Sequence, residues 1–232
     1  NDQREPIKYE IPPGILREVD PSQTFQRQLN EQSLVLDVCN LQDGDARAAY
    51  RNVQFDVRAY RKLKMFVHAE EVIPNTLNNE DLTLFVRLGT DFKDNYYEYE
   101  LPLYLTQWGA TLPEDIWPEI NNMEIVFDDL LNLKKERNTL LESGAGNVAF
   151  SLEFVKTDPK NPKRLIKVKG SPNLQGLRTI MIGVRNPSQN HQDNIWLPDD
   201  GQGKCAIVWI NELRLTDFVS EGGSAAIAQM QV

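Results

Sequence analysis

The residues with most chemical scope in this chain are two histidines and two cysteines, and their placement limits what they can do. His68 and His191 lie far apart, so a histidine–carboxylate pair for proton transfer or metal ligation would have to be assembled by the fold. His68 shares a strand face with Lys64 and Phe66 and reads as a solvated or hydrogen-bonded structural histidine. His191, within the polar stretch 186–194, reads as a loop residue. Cys39 and Cys205 are too few for a disulfide scaffold, and too few for a thiolate zinc site without both histidines. The chain has no Gly-x-Ser-x-Gly, no phosphate-cradling glycine loop and no His-Glu-x-x-His, so hydrolase, nucleotide and zinc-protease chemistry each lack their starting residues. A glycosidase needs only two carboxylates facing across a cleft, but nothing selects a pair from 34 acidic residues. No catalytic residue and no cofactor is expected.

Two ligand classes remain to be weighed. Asp43-Gly44-Asp45 and Asp199-Asp200-Gly201 present hard oxygen donors on tight loops, as calcium requires, but neither completes a calcium-loop pattern and both read as plain turns. No metal site is expected. Tyr96, Tyr97, Tyr99, Trp108 and Trp117 have the flat rings that stack on sugars, while large aromatics more often fill interiors. Along Asn95-Tyr96-Tyr97-Glu98-Tyr99-Glu100-Leu101, strand alternation puts Tyr97 and Tyr99 on one face and Tyr96 and Glu98 on the other, so at least one group belongs to the core.

Composition narrows the partners. With 34 acidic against 25 basic residues, a net charge of −9 and a pI near 4.9, the chain lacks the concentrated positive face that nucleic acid demands. No run approaches the roughly 18 apolar residues of a membrane-spanning helix. The opening Asn1-Asp2-Gln3-Arg4-Glu5-Pro6 has no signal-peptide core and reads as a cut inside a longer chain.

The elements that must position these residues are mainly strands. Pro6, Pro12, Pro13 and Pro21 forbid a continuous helix or central strand, so residues 1–32 are expected to form an extended arm. From Ser33 a period of two begins: Leu34, Leu36 and Val38 share one face, and Val35, Asp37 and Cys39 the other. Further strands are predicted over 53–57, 63–69, 82–88, 96–101, 147–155, 164–168, 178–184 and 206–215. In the fifth of these, Val148, Phe150, Leu152 and Phe154 alternate with Ala149, Ser151 and Glu153. In the last, Ile207, Trp209, Asn211 and Leu213 share a face.

One short helix is expected, capped by Asp128 or Asp129, with Leu130, Leu131, Leu133 and Arg137 at helical spacing before Asn138. The whole reads as mainly β: a jelly-roll-like antiparallel β-sandwich over 33–218, followed by a segment 219–232 leading towards a further strand. In that tail Ala226, Ala228, Met230 and Val232 alternate with Ile227, Gln229 and Gln231, as at the beginning of a barrel strand. In a jelly roll the first and last strands can be antiparallel neighbours, which sets Cys39 near Cys205. A disulfide and two separate buried thiols both remain open.

Several phrases, in order, resemble the SprA/Sov family of very large outer-membrane proteins, the translocon of the type IX secretion system linked to gliding motility. They include Ile11-Pro12-Pro13-Gly14-Ile15-Leu16-Arg17-Glu18, Arg47-Ala48-Ala49-Tyr50-Arg51-Asn52, and Tyr60 to Glu70. Phe85-Val86-Arg87-Leu88-Gly89-Thr90-Asp91, Gly183-Val184-Arg185-Asn186-Pro187 and Val208 to Phe218 continue the series. The likeness spans residues 11–218. It implies a non-catalytic structural and interaction domain of an outer-membrane protein, expected on the extracellular side, with the periplasmic side as the alternative. The implied partners are the rest of the translocon barrel, a lipid-anchored-type barrel partner, a plug protein and secreted cargo, with the membrane met only through the parent protein. The residues alone also admit a carbohydrate-binding jelly-roll module.

Overall fold

The computed structural model describes residues 6–16, 33–191, 194–196 and 199–219. Ten strands in two antiparallel sheets account for most of them: β1 (Leu34–Leu41), β2 (Ala46–Phe55), β3 (Tyr60–Glu71), β4 (Thr83–Gly89), β5 (Tyr96–Pro102), β6 (Met123–Val126), β7 (Phe154–Thr157), β8 (Leu165–Lys169), β9 (Leu177–Arg185) and β10 (Lys204–Phe218). The smaller sheet runs β1-β10-β3-β6 and the larger β2-β9-β4-β5-β8-β7. First pairs with last and second with ninth, and β1 to β4 alternate between the two sheets, as in a jelly roll. The β7–β8 pair is an addition at one edge of the larger sheet.

Alternation fills the space between the sheets. Leu63, Met65, Val67 and Ala69 of β3 and Ala206, Val208 and Ile210 of β10 meet Leu84, Val86 and Leu88 of β4 and Tyr97, Tyr99 and Leu101 of β5. The expected face of the last strand, Ile207, Trp209 and Asn211, therefore lies on the outer side of the smaller sheet, while Leu213 is exposed. That outer side is covered too, because Ile7 of the arm packs against Trp117 and Trp209. The expected tail alternation at 226–232 lies outside the described residues.

Three sequence expectations change. The segment before Phe154 is not a strand: Phe150 and Leu152 are about half exposed, at 53% and 50%. Its partner explains this, since β8 has only five residues and Phe154 already pairs with Val168, leaving little ladder for residues before it. The helix is longer than expected and starts differently. The 17-residue α2 (Phe127–Ser143) follows β6 directly, with Val126 at its N-cap and no side-chain cap, while Asp128 and Asp129 occupy the first turn and favour its dipole. It passes Asn138, which accepts hydrogen bonds from Arg137, and ends where Gly144 turns left-handed at φ 65°. A second helix, the four-residue α1 (Pro113–Ile116), begins with proline at its first position.

Cys39 and Cys205 lie beside a bulge between β1 and β10, with Cα atoms 3.9 Å apart and their sulfurs in disulfide contact across a sequence separation of 166. Asn40, at positive φ, donates its backbone N–H to Cys205 Sγ.

Candidate functional site

The larger sheet turns charge, not water, to its outer face. All seven residues of β5 are buried, so Tyr96, Glu98 and Glu100, which point away from the core, must be satisfied by neighbours. Strand register supplies them: Glu98 lies between Arg87 on β4 and Lys167 on β8. Lys167 Nζ reaches Glu98 Oε1 at 3.0 Å and Glu100 Oε2 at 2.6 Å. Arg87 Nε pairs with Glu98 and the Arg87 guanidinium lies 4.1 Å from the centre of the Tyr96 ring.

Arg185 of β9 reaches the same carboxylates across the whole width of β4. It does so by lying on the Phe85 ring, 4.5 Å from the ring centre, with Nη1 3.0 Å from Glu98 Oε1 and a second pairing to Glu100. The ring can lie there because its cross-strand neighbour is Gly183, where a Cβ would come within 2.5 Å of Phe85 Cζ. Thr83 Oγ1 donates to Glu100 Oε1 at 2.5 Å, and the Tyr96 hydroxyl donates to Glu153. Three cations (Arg87, Lys167, Arg185) thus face three carboxylates (Glu98, Glu100, Glu153), and the group is neutral as a whole.

Burial would raise the Glu98 carboxyl, but Lys167, Arg185 and Arg87 outweigh it and hold the group well below the usual carboxylate range. Burial likewise opposes charge on Lys167, yet Glu98 and Glu100 push its ammonium up. Glu153 and, from the loop after β9, residues 187, 188, 191, 194 and 196 lie over this network. Between them a cavity of about 200 Å³ remains, floored by Glu100, Lys167 and Arg185 and walled by Glu153, His191 and Trp196. His191 is therefore a loop residue at the rim of a charged cavity, a placement the sequence did not reveal.

The two acidic turns flank that loop and serve as its fastenings. Asp43 accepts from the Gln189 N–H at 2.9 Å and from Ser188 Oγ at 3.4 Å. Asp199 accepts from Gly201 N–H at 2.9 Å and Asn194 Nδ2 at 2.8 Å, and Asp200 from Gln202 N–H at 2.9 Å and Lys204 Nζ at 2.8 Å. Their oxygens are engaged by N–H and O–H donors in the manner of turn carboxylates. Among the described residues no group of three or more His, Cys, Asp or Glu is placed to hold a metal. Asn186, which the sequence marked only as part of a polar stretch and of a family phrase, anchors the same region: it is fully buried and donates to the carbonyls of Leu41, at 3.0 Å, and Gln202, at 2.9 Å. Its place before Pro187, a turn-forming pair, was the available signal.

On the opposite side of the sandwich the outward residues of β3 and β10 form an aromatic cluster. His68 stands across from Trp209 and stacks on it with ring centres 3.9 Å apart. Its Nδ1–H donates to the Ile116 carbonyl at 2.8 Å, and the ring is fully buried, so of the two expected environments the hydrogen-bonded one is realised. Helix α1 delivers Trp117, whose Nε1–H donates to the Glu10 carbonyl at 2.7 Å, while Asn211 Nδ2 donates to the Tyr9 hydroxyl at 2.7 Å. Residues 7–10 of the arm are thereby clamped, while residues 1–5 and 17–32 lie outside the described residues. Ile7→Ala is expected to lower the unfolding free energy by about 2–4 kcal/mol, because Ile7 is fully buried between Trp117 and Trp209. Urea unfolding followed by tryptophan emission measures it, and a loss under about 0.5 kcal/mol would mean that the arm is not packed in solution.

Of the five candidate sugar-stacking rings, Tyr96, Tyr97, Tyr99 and Trp117 are buried, and Trp108 is exposed. A flat aromatic platform built from the group is thus not presented to solvent. No described helix is long and apolar enough to cross a membrane, which bears on helices alone.

A family of motility related/secretion proteins, SprA_N, matches residues 1–232. The chain belongs to this family. The likeness read from the phrases between residues 11 and 218 is thus extended to both ends of the chain. A search of curated proteins gave no match. In this member of SprA_N, the ion network and the aromatic clamp both secure segments lying over the sheets.

Proposed function

We propose that this SprA_N domain is a non-catalytic structural and interaction domain of a large outer-membrane protein-secretion translocon, of the type IX system linked to gliding motility. The observation that carries the reading is the family match along the whole chain. The fold is compatible with it, since the central strands of both outer sheet faces are covered by the chain's own segments. Loops and edges, where Trp108, Ile120 and Phe218 are exposed, are then open to contact with other proteins. On this reading the domain faces the cell exterior and meets the rest of the barrel, its lipid-anchored-type partner, the plug or passing cargo.

Photo-crosslinking amino acids at Trp108, Ile120 and Phe218 of the full-length parent protein, in cells, test it. Crosslinks to outer-membrane proteins or secreted cargo are expected, together with labelling of the domain by a membrane-impermeant reagent on intact cells. Crosslinks to neither class at all three positions would overturn the interaction reading, and labelling only after the outer membrane is opened would place the domain on the periplasmic side.

A further inference from the structure

A cavity of about 320 Å³ opens at the end of the sandwich where α2 crosses it, well away from the ion network. Val57, Phe127, Leu131 and Leu174 form an apolar wall, and Leu131 at 46% exposure leaves an apolar lip open to solvent. Tyr97 also lines it. The Tyr97 side chain is 1% exposed, and its hydroxyl has no hydrogen-bond partner among the described residues. Burial pushes this phenol up to about 12, so it keeps its proton and its capacity to donate. An unpaired buried hydroxyl is costly to a folded protein and calls for an explanation, such as a ligand that completes it.

The charged residues around the opening indicate what the ligand carries. Arg58 is committed to Asp56, at 2.6 Å, and is no free anchor. Lys134 is half-buried and donates one hydrogen to the Pro172 carbonyl at 2.8 Å, which leaves two of its three donors. The one acid in the lining, Asp128, lies in the exposed first turn of α2, where water screens it. Two donors, one neutral and deep and one cationic and shallow, therefore look for acceptor oxygens beside an apolar wall. In volume the cavity equals the share of about ten water molecules in the liquid, room for a single ring or a short chain.

We propose that this cavity is a binding site for a small carboxylate with an apolar body, such as an aryl-alkanoic or medium-chain aliphatic acid. The body rests on Phe127, Leu131 and Leu174, and the oxygens meet the Tyr97 hydroxyl and the Lys134 ammonium. The site is independent of the role proposed for the domain in secretion.

The test is a ligand-observed NMR titration of the whole chain with 3-phenylpropionate, with octanoate and with 3-phenylpropionamide. Both acids are expected to bind saturably, and the amide about tenfold more weakly, since it loses the charge-assisted contact to Lys134. Tyr97→Phe keeps the ring and should weaken the acids by about tenfold, and Lys134→Met should abolish the preference for acid over amide. Each variant is first checked for a native melting transition. Because Tyr97→Phe removes an unpaired hydroxyl, its transition without ligand should not fall below that of the parent chain. Absence of saturable binding by the parent chain, or affinity unchanged in either variant, would overturn the site.

Discussion

Glu98→Ala is expected to destabilise the domain by about 3–5 kcal/mol, among the largest single effects available in this chain. The loss does not reflect the net worth of the pairs, because desolvation offsets much of their attraction. It reflects what remains: Lys167, 5% exposed, and Arg185 and Arg87 would face one another with fewer carboxylates to balance them. Replacing Glu98 and Lys167 together with leucine and methionine should cost clearly less than the sum of the two single changes, since one charge of each sign leaves at once. Urea unfolding at neutral pH measures all three, and additive single and double changes would show that the residues are not coupled.

The same group sets a pH dependence whose sign follows from its direction. The Glu98 carboxyl is held well below its usual range in the folded chain, so its stabilising contribution is complete above the unfolded carboxyl value of about 4.3 and is lost as pH falls through the folded value. Glu124, held to about 2 chiefly by its hydrogen bond to Lys64, adds to this loss over the same acid range. The Glu98→Ala variant should therefore show a shallower fall in stability below about pH 4 than the parent chain.

Joining Cys39 to Cys205 is the second large effect. If the contact is covalent, thiol titration of the folded, oxidised chain finds no free thiol, and Cys39→Ala with Cys205→Ala lowers stability by on the order of 3–5 kcal/mol, because the bond closes a loop of 166 residues. For a domain of this size that corresponds to roughly 6–20 °C in melting temperature. The bond ties β1, an edge strand of the smaller sheet, to β10, which otherwise holds it by the ladder from Leu34↔Ile210 to Leu41↔Lys204. Reduction should thus loosen β1 first, visible as faster amide exchange at Leu36 and Val38 than in β3. Two titratable thiols in the oxidised chain, with unchanged melting in the double variant, would show two independent cysteines.

Much of the fold was legible because its central strands alternate cleanly. Leu63 to Ala69 and Tyr96 to Leu101 each place one apolar face in the core, and the antiparallel neighbouring of first and last strands followed from the jelly-roll reading. The start of β2 was hidden, because Ala46-Arg47-Ala48-Ala49 at a sheet edge carries neither β-branched residues nor alternation. β6 was hidden because four residues that run straight into a helix leave no turn signal. Conversely, Val148 to Phe154 alternates and yet only Phe154 finds a partner, since pairing depends on the neighbour's length as well as on pattern.

The charged network was only half legible. Glu98 and Glu100 alternating with tyrosines mark a strand, but bringing Arg87, Lys167 and Arg185 onto them requires the register of four strands, and register across a crossover is a property of the fold. Arg137 makes the same point: its spacing identified the helix, while its burial, with Nη1 donating to the Gly170 carbonyl at 2.6 Å, depended on a loop distant in sequence. The clamp on the arm joins Tyr9 to Asn211 across 202 positions, beyond the reach of local pattern, though Ile7 and Tyr9 alternating between polar residues hinted at an apolar side.

The neutrality of the network also decides how dissolved salt acts on the domain. Three cations balance three carboxylates on the closed face, so the formal net charge of −9 resides on the remaining groups. Mobile ions screen exposed charges within about 8–10 Å at ordinary ionic strength and barely reach buried pairs. Added electrolyte therefore leaves the sheet's ion pairs intact while it relieves repulsion among the excess acids, and the domain is built to gain cohesion, rather than lose it, as its surroundings become more saline.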